Sequence, residues 1–115
     1  MNKTILFAFR GDPLCFIQVL LNSQDMATKN LGGEIILEGE AVKLVAEMAQ
    51  KDHFLHPLYI KAKIQGLIIG ACRACSNKLG VSAEVEAEGI ELIGTMAGHP
   101  SMADYINQGY TVITF

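Results

Sequence analysis

The sequence has no tryptophan, three prolines and three cysteines among its 115 residues. Three cysteines are too few for a disulfide framework, which is how small secreted domains are usually held together. No apolar run approaches the roughly 18 residues that a membrane-spanning helix requires, so no membrane association is expected. The apolar opening of the chain breaks at Arg10-Gly11-Asp12-Pro13 without a small-residue cleavage site, which predicts no signal peptide. These absences favour a cytoplasmic protein with reduced thiols.

A basic surface is also lacking. Nine basic and twelve acidic residues give a net charge of −3, and the basic residues are scattered along the chain. Nothing in this pattern resembles a stripe that follows phosphates, so nucleic acid is not an expected partner. Half of the residues are hydrophobic, which is typical of a compact globular protein. The length suits one core, and we predict a single domain over residues 1–115.

Five apolar stretches predict β-strands, and segments with helical spacing lie between them. The predicted strands are Lys3–Phe9, Glu34–Leu37, Leu67–Ala71, Ile90–Ile93 and Tyr110–Phe115. Alternation of strands and helices is typical of a parallel sheet covered on both faces. We therefore predict an α/β protein with a three-layer, flavodoxin-like arrangement and a five-stranded parallel sheet. The strand order 2-1-3-4-5 is favoured because it needs only right-handed crossovers.

The candidate chemistry centres on a Cys-x-x-Cys pair. Cys72 and Cys75 follow the third predicted strand at the point where a helix begins. Open α/β sheets usually place their chemistry at this end of a strand. The positive end of the helix and the neighbouring Arg73 should favour thiolate over thiol. We therefore expect the pKa of Cys72 to lie below the free-cysteine value of about 8.5.

In the favoured order, strands one, three and four are neighbours, and their carboxyl ends share one rim of the sheet. Besides the two catalytic thiols, we predict that a substrate would be held there by polar side chains that follow these strands. The predicted substrate-binding residues are Asp12, Arg73, Ser76, Asn77 and His99. Cys15 is expected on the same rim.

Each of these residues also has a purely structural interpretation. Asp12 before Pro13 is a helix N-cap, and Cys15 is a packing residue in an apolar helix. Cys75 can be a small buried hydrophobe, and His99 a polar turn residue. Cys72, Cys75 and His99, with Cys15 or Asp12 as the fourth ligand, are also a plausible set of zinc ligands. Zinc sites more often use two paired motifs and only one pair is present, so neither a metal nor another cofactor is predicted.

The segment Ala71-Cys72-Arg73-Ala74-Cys75-Ser76-Asn77-Lys78-Leu79-Gly80-Val81 resembles the pattern V-C-x-A-A-x-x-R-G of the DsrE/DsrF-like family, which includes sulfur-relay subunits of the TusD type. Cys72 matches the cysteine that carries a persulfide in that family. Cys75 stands where a small residue is common, and Lys78 stands near the basic position. The resemblance implies a flavodoxin-like fold and a sulfur-carrier role, with Cys75 as a candidate resolving thiol. It also implies sulfur donor and acceptor proteins as partners, and leaves open whether the chain is itself a sulfurtransferase-type enzyme.

Two other functions stay open on the sequence. One is a binding module that holds a small ligand or metal at the same rim, and the other is a structural oligomer with inert thiols. Self-assembly is expected in any case, because the last predicted strand, Tyr110–Phe115, has no Lys or Pro to protect a sheet edge. The resemblance makes a trimer or a hexamer the expected assembly.

Overall fold

The apolar stretches form strands and the segments between them form helices. The computed structural model describes residues 3–115; Met1 and Asn2, assigned above to the same domain, lie outside the described residues. The strands are β1 (Lys3–Ala8), β2 (Gly32–Leu37), β3 (Ile68–Cys72), β4 (Leu92–Ile93) and β5 (Tyr110–Thr114). The helices are α1 (Pro13–Thr28), α2 (Leu44–Met48), α3 (His56–Ile64), α4 (Arg73–Lys78), α5 (Ser82–Ala87) and α6 (Met102–Asn107). A 3-10 helix, Gly39–Lys43, leads directly into α2.

Helix α1 begins as the sequence predicts. Asp12 has extended backbone angles, and its carboxylate accepts the backbone N–H of Leu14 at 2.9 Å. Pro13 occupies the first helical position, where a missing N–H costs nothing. The helix then buries Phe16 and Leu20 against the sheet, because residues four apart lie on the same face.

All four strand pairings are parallel, and the strand order is β4-β3-β2-β1-β5. The α/β class and the five-stranded parallel sheet are confirmed. The favoured order 2-1-3-4-5 is wrong, because β2 lies between β1 and β3. The reason is visible in β2 itself: Ile35, Ile36 and Leu37 are all fully buried. Consecutive residues point to opposite faces, so such a run needs cover on both faces and suits a central strand.

The two faces of the sheet carry cores of different size. The larger core contains Leu6 and Leu37 from the sheet together with Tyr59 of α3 and most of the other buried apolar residues. The smaller core contains Ile5, Phe7 and Ile36 and packs against α6. Helices therefore cover both faces, with most of them on the side of the larger core.

The two edges of the sheet also differ. Strand β4 is two residues long, pairs with Ala71 and Cys72 of β3, and receives a hydrogen bond from the Arg73 guanidinium to the Leu92 carbonyl at 3.2 Å. Strand β5 is five residues long and pairs on one side with β1. The prediction that the last strand lies at an edge is confirmed. Within residues 3–115, no helix combines the length and apolar character needed to cross a membrane.

Candidate thiol site

Cys72 ends β3 and also caps α4. Its backbone is extended (φ −61°, ψ 122°), and its sulfur accepts the backbone N–H of Cys75 at 3.3 Å. The side chain of Cys72 is fully buried, whereas Cys75, one turn further along, is half-buried. The strand-to-helix junction therefore presents two thiols at the carboxyl end of the sheet, one enclosed and one nearer to solvent.

His99 reaches this junction from the loop between β4 and α6. Met96 and His99 exchange two backbone hydrogen bonds of 2.9 Å, which closes a turn with Ala97 (φ 50°) and Gly98 (φ 89°) at its centre. Two central residues with positive φ are typical of a type I′ turn. The Gly98 carbonyl accepts the N–H of Ala74 at 2.8 Å, so the turn is fastened to the first turn of α4. As a result, Nδ1 of His99 lies 3.2 Å from the sulfur of Cys72.

Glu38 is the member of the site that the sequence analysis did not identify. It follows β2, donates its N–H to the Ala8 carbonyl at 2.8 Å, and accepts from the N–H of Ala41 at 3.0 Å as the 3-10 helix begins. One ligand atom from each of Glu38, Cys72, Cys75 and His99 lies within 4.8 Å of all the others. The central position of β2 explains the omission, because the favoured order placed Glu38 two strands away from Cys72.

Burial controls the protonation of this site. It raises the pKa of the Cys72 thiol to about 12, with further contributions from the Cys75 side chain and the Glu38 charge, while the backbone N–H of Cys75 opposes the rise. It also raises the pKa of the Glu38 carboxyl to about 7. The expectation that the pKa of Cys72 falls below 8.5 is therefore wrong. The helix that Cys72 caps has only six residues, and the Arg73 guanidinium is directed to the Leu92 carbonyl.

The remaining predicted residues make other contacts. Asp12 caps α1, and the amide oxygen of Asn77 accepts the Ser82 hydroxyl. The Ser76 side chain is fully buried, and its hydroxyl has no hydrogen-bond partner among residues 3–115. Among the predicted substrate-binding residues in the described part of the chain, His99 is the one whose side chain lies at hydrogen-bonding distance from a thiol, that of Cys72. The roles of these residues toward a substrate stay predictions.

Cys15 lies apart from the cluster. It lines a cavity of about 520 Å³ together with Arg10 and Gln18, bounded by β1, α1 and the end of β5. Strand β2 separates β1 from β3, so the rim expected to hold all three cysteines is divided. The prediction that Cys15 joins Cys72, Cys75 and His99 is therefore wrong.

Comparison with known proteins agrees with this architecture. The model of the DsrE/DsrF-like family matches residues 20–115. An uncharacterised protein of Methanocaldococcus jannaschii is 29% identical over 97 residues, which cover 84% of this chain and 77% of that protein. A conserved protein of unknown function from Bacteroides thetaiotaomicron has a solved structure that superimposes with a TM-score of 0.72. That match covers 98% of this chain and 95% of the other at 19% identity, and it supports the fold alone.

Proposed function

This chain belongs to the DsrE/DsrF-like family, and from that premise we propose that it is a sulfur carrier that holds a sulfane sulfur on Cys72. The family supports a sulfur-relay type of role, and the proximity of Cys72 and Cys75 fits it. The observation that carries the proposal for this chain is the 3.2 Å contact between the Cys72 sulfur and Nδ1 of His99. A buried thiol with a raised pKa needs a base at hydrogen-bonding distance to become a nucleophile.

Loading is an exchange of one sulfur–sulfur bond for another. The neutral imidazole of His99 accepts the Cys72 proton, and the resulting thiolate attacks the terminal sulfur of a donor persulfide. The new bond joins this sulfur to Sγ of Cys72, and the donor's own sulfur–sulfur bond breaks. The bonding electron pair leaves with the donor sulfur, which takes a proton as a thiol. The N–H of Cys75 donates to Sγ throughout, which favours its anionic form.

Cys75 can also remove the sulfur that Cys72 carries as a persulfide. Its thiolate can attack Sγ of Cys72, so that a Cys72–Cys75 disulfide forms and the terminal sulfur leaves as hydrosulfide. The two cysteines are then oxidised by two electrons, and the sulfane sulfur is reduced to sulfide. Without this attack, the persulfide passes to an acceptor protein. Cys75 therefore resolves the persulfide when no acceptor is bound.

A sulfur donor needs access to the Cys72 thiol. Cys72 is fully buried, and the Gly98 carbonyl lies 3.8 Å from its sulfur, so the turn that contains Gly98 has to move aside for a donor.

We place the protein in the cytoplasm, where thiols stay reduced. Donor and acceptor proteins are its proposed partners, and self-assembly through β5 is proposed as well.

The test is direct sulfur loading. The reduced, chelator-treated protein is incubated with glutathione persulfide, and the intact mass and the thiol-blocked peptides are measured. We expect the mass of one sulfur atom to be added at Cys72, in the unmodified chain and in the matched control Cys15→Ser. Cys72→Ser should take up none, and Cys75→Ser should keep the added sulfur for longer. Sulfur found on Cys15, or no added sulfur on Cys72 in the Cys75→Ser variant, would contradict the proposal.

A further inference from the structure

The four clustered side chains form a recognisable donor set. Cys72 and Cys75 offer two sulfurs, His99 offers an imidazole nitrogen, and Glu38 offers a carboxylate oxygen. Mg²⁺ and Ca²⁺ take oxygen ligands and do not suit two thiolates. Zn²⁺ accepts all three of these donor types, usually four in number and in tetrahedral geometry. The spacing of the two cysteines, with two residues between them, is also one that zinc sites use.

The distances fit such an ion. With metal–ligand bonds of roughly 2.0–2.3 Å, neighbouring ligand atoms of a tetrahedral zinc site lie about 3.3–3.8 Å apart. The four donor atoms lie within 4.8 Å of one another, and the Cys72 sulfur and the His99 nitrogen are already 3.2 Å apart. The widest pair of ligand atoms would have to approach by about 1 Å to reach the spacing of a tetrahedral zinc site.

The burial of the Glu38 carboxylate favours a bound cation in this cluster. Glu38 is 7% exposed, and its carboxylate, whose oxygens keep some contact with solvent, has no hydrogen-bond or cationic partner within the described range 3–115. Buried charged groups are normally paired or bound to a metal. Arg73, the neighbour of Cys72 in the chain, donates instead to the Leu92 carbonyl. A divalent cation would neutralise most of the charge of two thiolates and one carboxylate.

From these observations we propose that Glu38, Cys72, Cys75 and His99 form a tetrahedral Zn²⁺ site. The zinc alternative drawn from the sequence had Cys15 or Asp12 as its fourth ligand, and the structure puts Glu38 in that place. Four protein ligands leave no position for a reactive water, so this ion serves to bind and close the thiol site rather than to hydrolyse a substrate. On binding, the two thiols release their protons to solvent and become ligands.

This proposal goes beyond sulfur carriage and does not rest on it. Zinc and a persulfide both need the sulfur of Cys72, so one molecule holds one or the other. A chain with zinc bound should be protected from sulfur loading until a chelator removes the metal. The two proposals are tested by different signals and can fail independently.

The experiment is a Co²⁺ titration of the full chain, purified without a metal-affinity column, reduced, treated with chelator and kept under nitrogen. We expect one Co²⁺ per chain, with thiolate-to-cobalt charge-transfer absorption and the intense visible bands of tetrahedral cobalt. Added Zn²⁺ should bleach both. The near-isosteric variant Glu38→Gln and the variant His99→Ala should weaken Co²⁺ binding by at least about 10–100-fold, the loss seen when even outer-shell partners are removed.

Control variants separate this site from non-specific thiol binding. Cys15→Ser should bind Co²⁺ as the unmodified chain does, whereas Cys72→Ser and Cys75→Ser should each weaken the charge-transfer band. Circular dichroism verifies that each variant is folded. Absence of the charge-transfer band in the unmodified chain would overturn the zinc site, even if sulfur loading at Cys72 succeeds. Unchanged Co²⁺ affinity in folded Glu38→Gln would overturn the four-residue set.

Discussion

The sulfur of Cys72 and Nδ1 of His99 are 3.2 Å apart, although 27 positions separate the two residues in the chain. The contact joins the end of β3 to a turn that lies beyond β4. Neither residue holds the other in place. Cys72 is fixed by the junction of β3 and α4, and His99 by the backbone hydrogen bonds of its own turn. Each partner can therefore be altered while the support of the other is kept.

The first prediction concerns His99 as the base for Cys72. Replacing His99 with Ala should slow sulfur loading of the metal-free protein by about 10²–10⁴-fold, the usual contribution of a positioned acid–base group. The measurement is the rate of mass gain from glutathione persulfide, taken at several pH values. His53→Ala is the matched control, since His53 lies in the connection before α3. Equal rates in the two variants would remove His99 from the mechanism.

The second prediction concerns the turn that positions His99. Gly98 has a φ of 89°, and an added Cβ would lie 3.2 Å from the Cβ of Ala74. Gly98→Ala should therefore destabilise the protein by about 1–3 kcal/mol, because the backbone is strained and the turn is pushed off α4. The matched variant Ala97→Gly, at a φ of 50°, should leave stability equal or higher. Thermal unfolding of both variants decides this, and equal losses would contradict it.

The third prediction concerns the reactivity of the cysteines. Cys72 is fully buried and its pKa is raised to about 12, so little thiolate exists at pH 8. With chelator present, iodoacetamide should modify Cys72 last of the three cysteines, roughly a thousandfold more slowly than a free thiol. Its rate should continue to rise above pH 8.5. Peptide mass spectrometry over time gives the rates, and labelling in urea shows the unprotected rate. Fast modification of native Cys72 would contradict the burial argument.

The local features of the fold can be predicted from the sequence, but the strand order cannot. The cap of α1 at Asp12, the strands, and the position of Cys72 at a strand-to-helix junction all follow from local patterns. The strand order does not, because right-handed crossovers are compatible with more than one order. The run Ile35–Leu37 carried the missing signal, since three consecutive buried residues indicate a central strand. A central β2 places Glu38 beside Cys72.

Electrostatics were harder to predict than geometry. The helix N-terminus and Arg73 were identified correctly in sequence, yet the pKa of Cys72 moves in the opposite direction. The helix contributes a hydrogen bond from the Cys75 N–H, but removing water from a fully buried sulfur costs more. Burial of a single side chain depends on the turn at Gly98, which packs over the site from a distant part of the chain. The sequence around Cys72 therefore does not indicate that its side chain is buried.

The fourth prediction concerns the dependence of stability on pH. The Tyr59 hydroxyl donates to the Glu88 carboxylate at 2.6 Å, and Lys63 donates to it at 2.9 Å. The Tyr59 hydrogen bond and the positive charges nearby lower the pKa of Glu88. Because the folded pKa lies below the unfolded value, this stabilisation is present above about pH 4.3 and is lost as the pH falls below it.

Glu88→Gln should therefore reduce the free energy of unfolding by about 1–2 kcal/mol at pH 7, an amount discounted for partial exposure. The difference from the unmodified protein should shrink toward zero near pH 3. Urea unfolding at the two pH values measures it. Glu86→Gln, at an exposed position of α5 two residues before Glu88, should have no effect at either pH. A deficit that is independent of pH would mean that lost packing, rather than charge, is responsible.

The fifth prediction concerns self-assembly through β5. Ile113 of this strand is 37% exposed, and Lys is a residue that protects sheet edges from pairing. Ile113→Lys should shift the protein in sedimentation toward a 12.5 kDa monomer. Ile64→Lys is the control, because Ile64 is more exposed, at 81%, but lies at the end of α3. A clean 12.5 kDa species for the unmodified chain would end the assembly proposal.

The unequal edges of the sheet limit how copies of this chain can join. Strand β4 offers two residues and has its Leu92 carbonyl bound by Arg73, so that edge presents almost no backbone to a neighbour. Strand β5 offers five residues. A sheet with one receptive edge gains one neighbour by strand pairing, and the joined pair then has a short β4 edge at each end and no receptive edge left. Growth of a fibre by this route stops at two copies. An assembly of three or six copies would have to use a surface other than the strand edges.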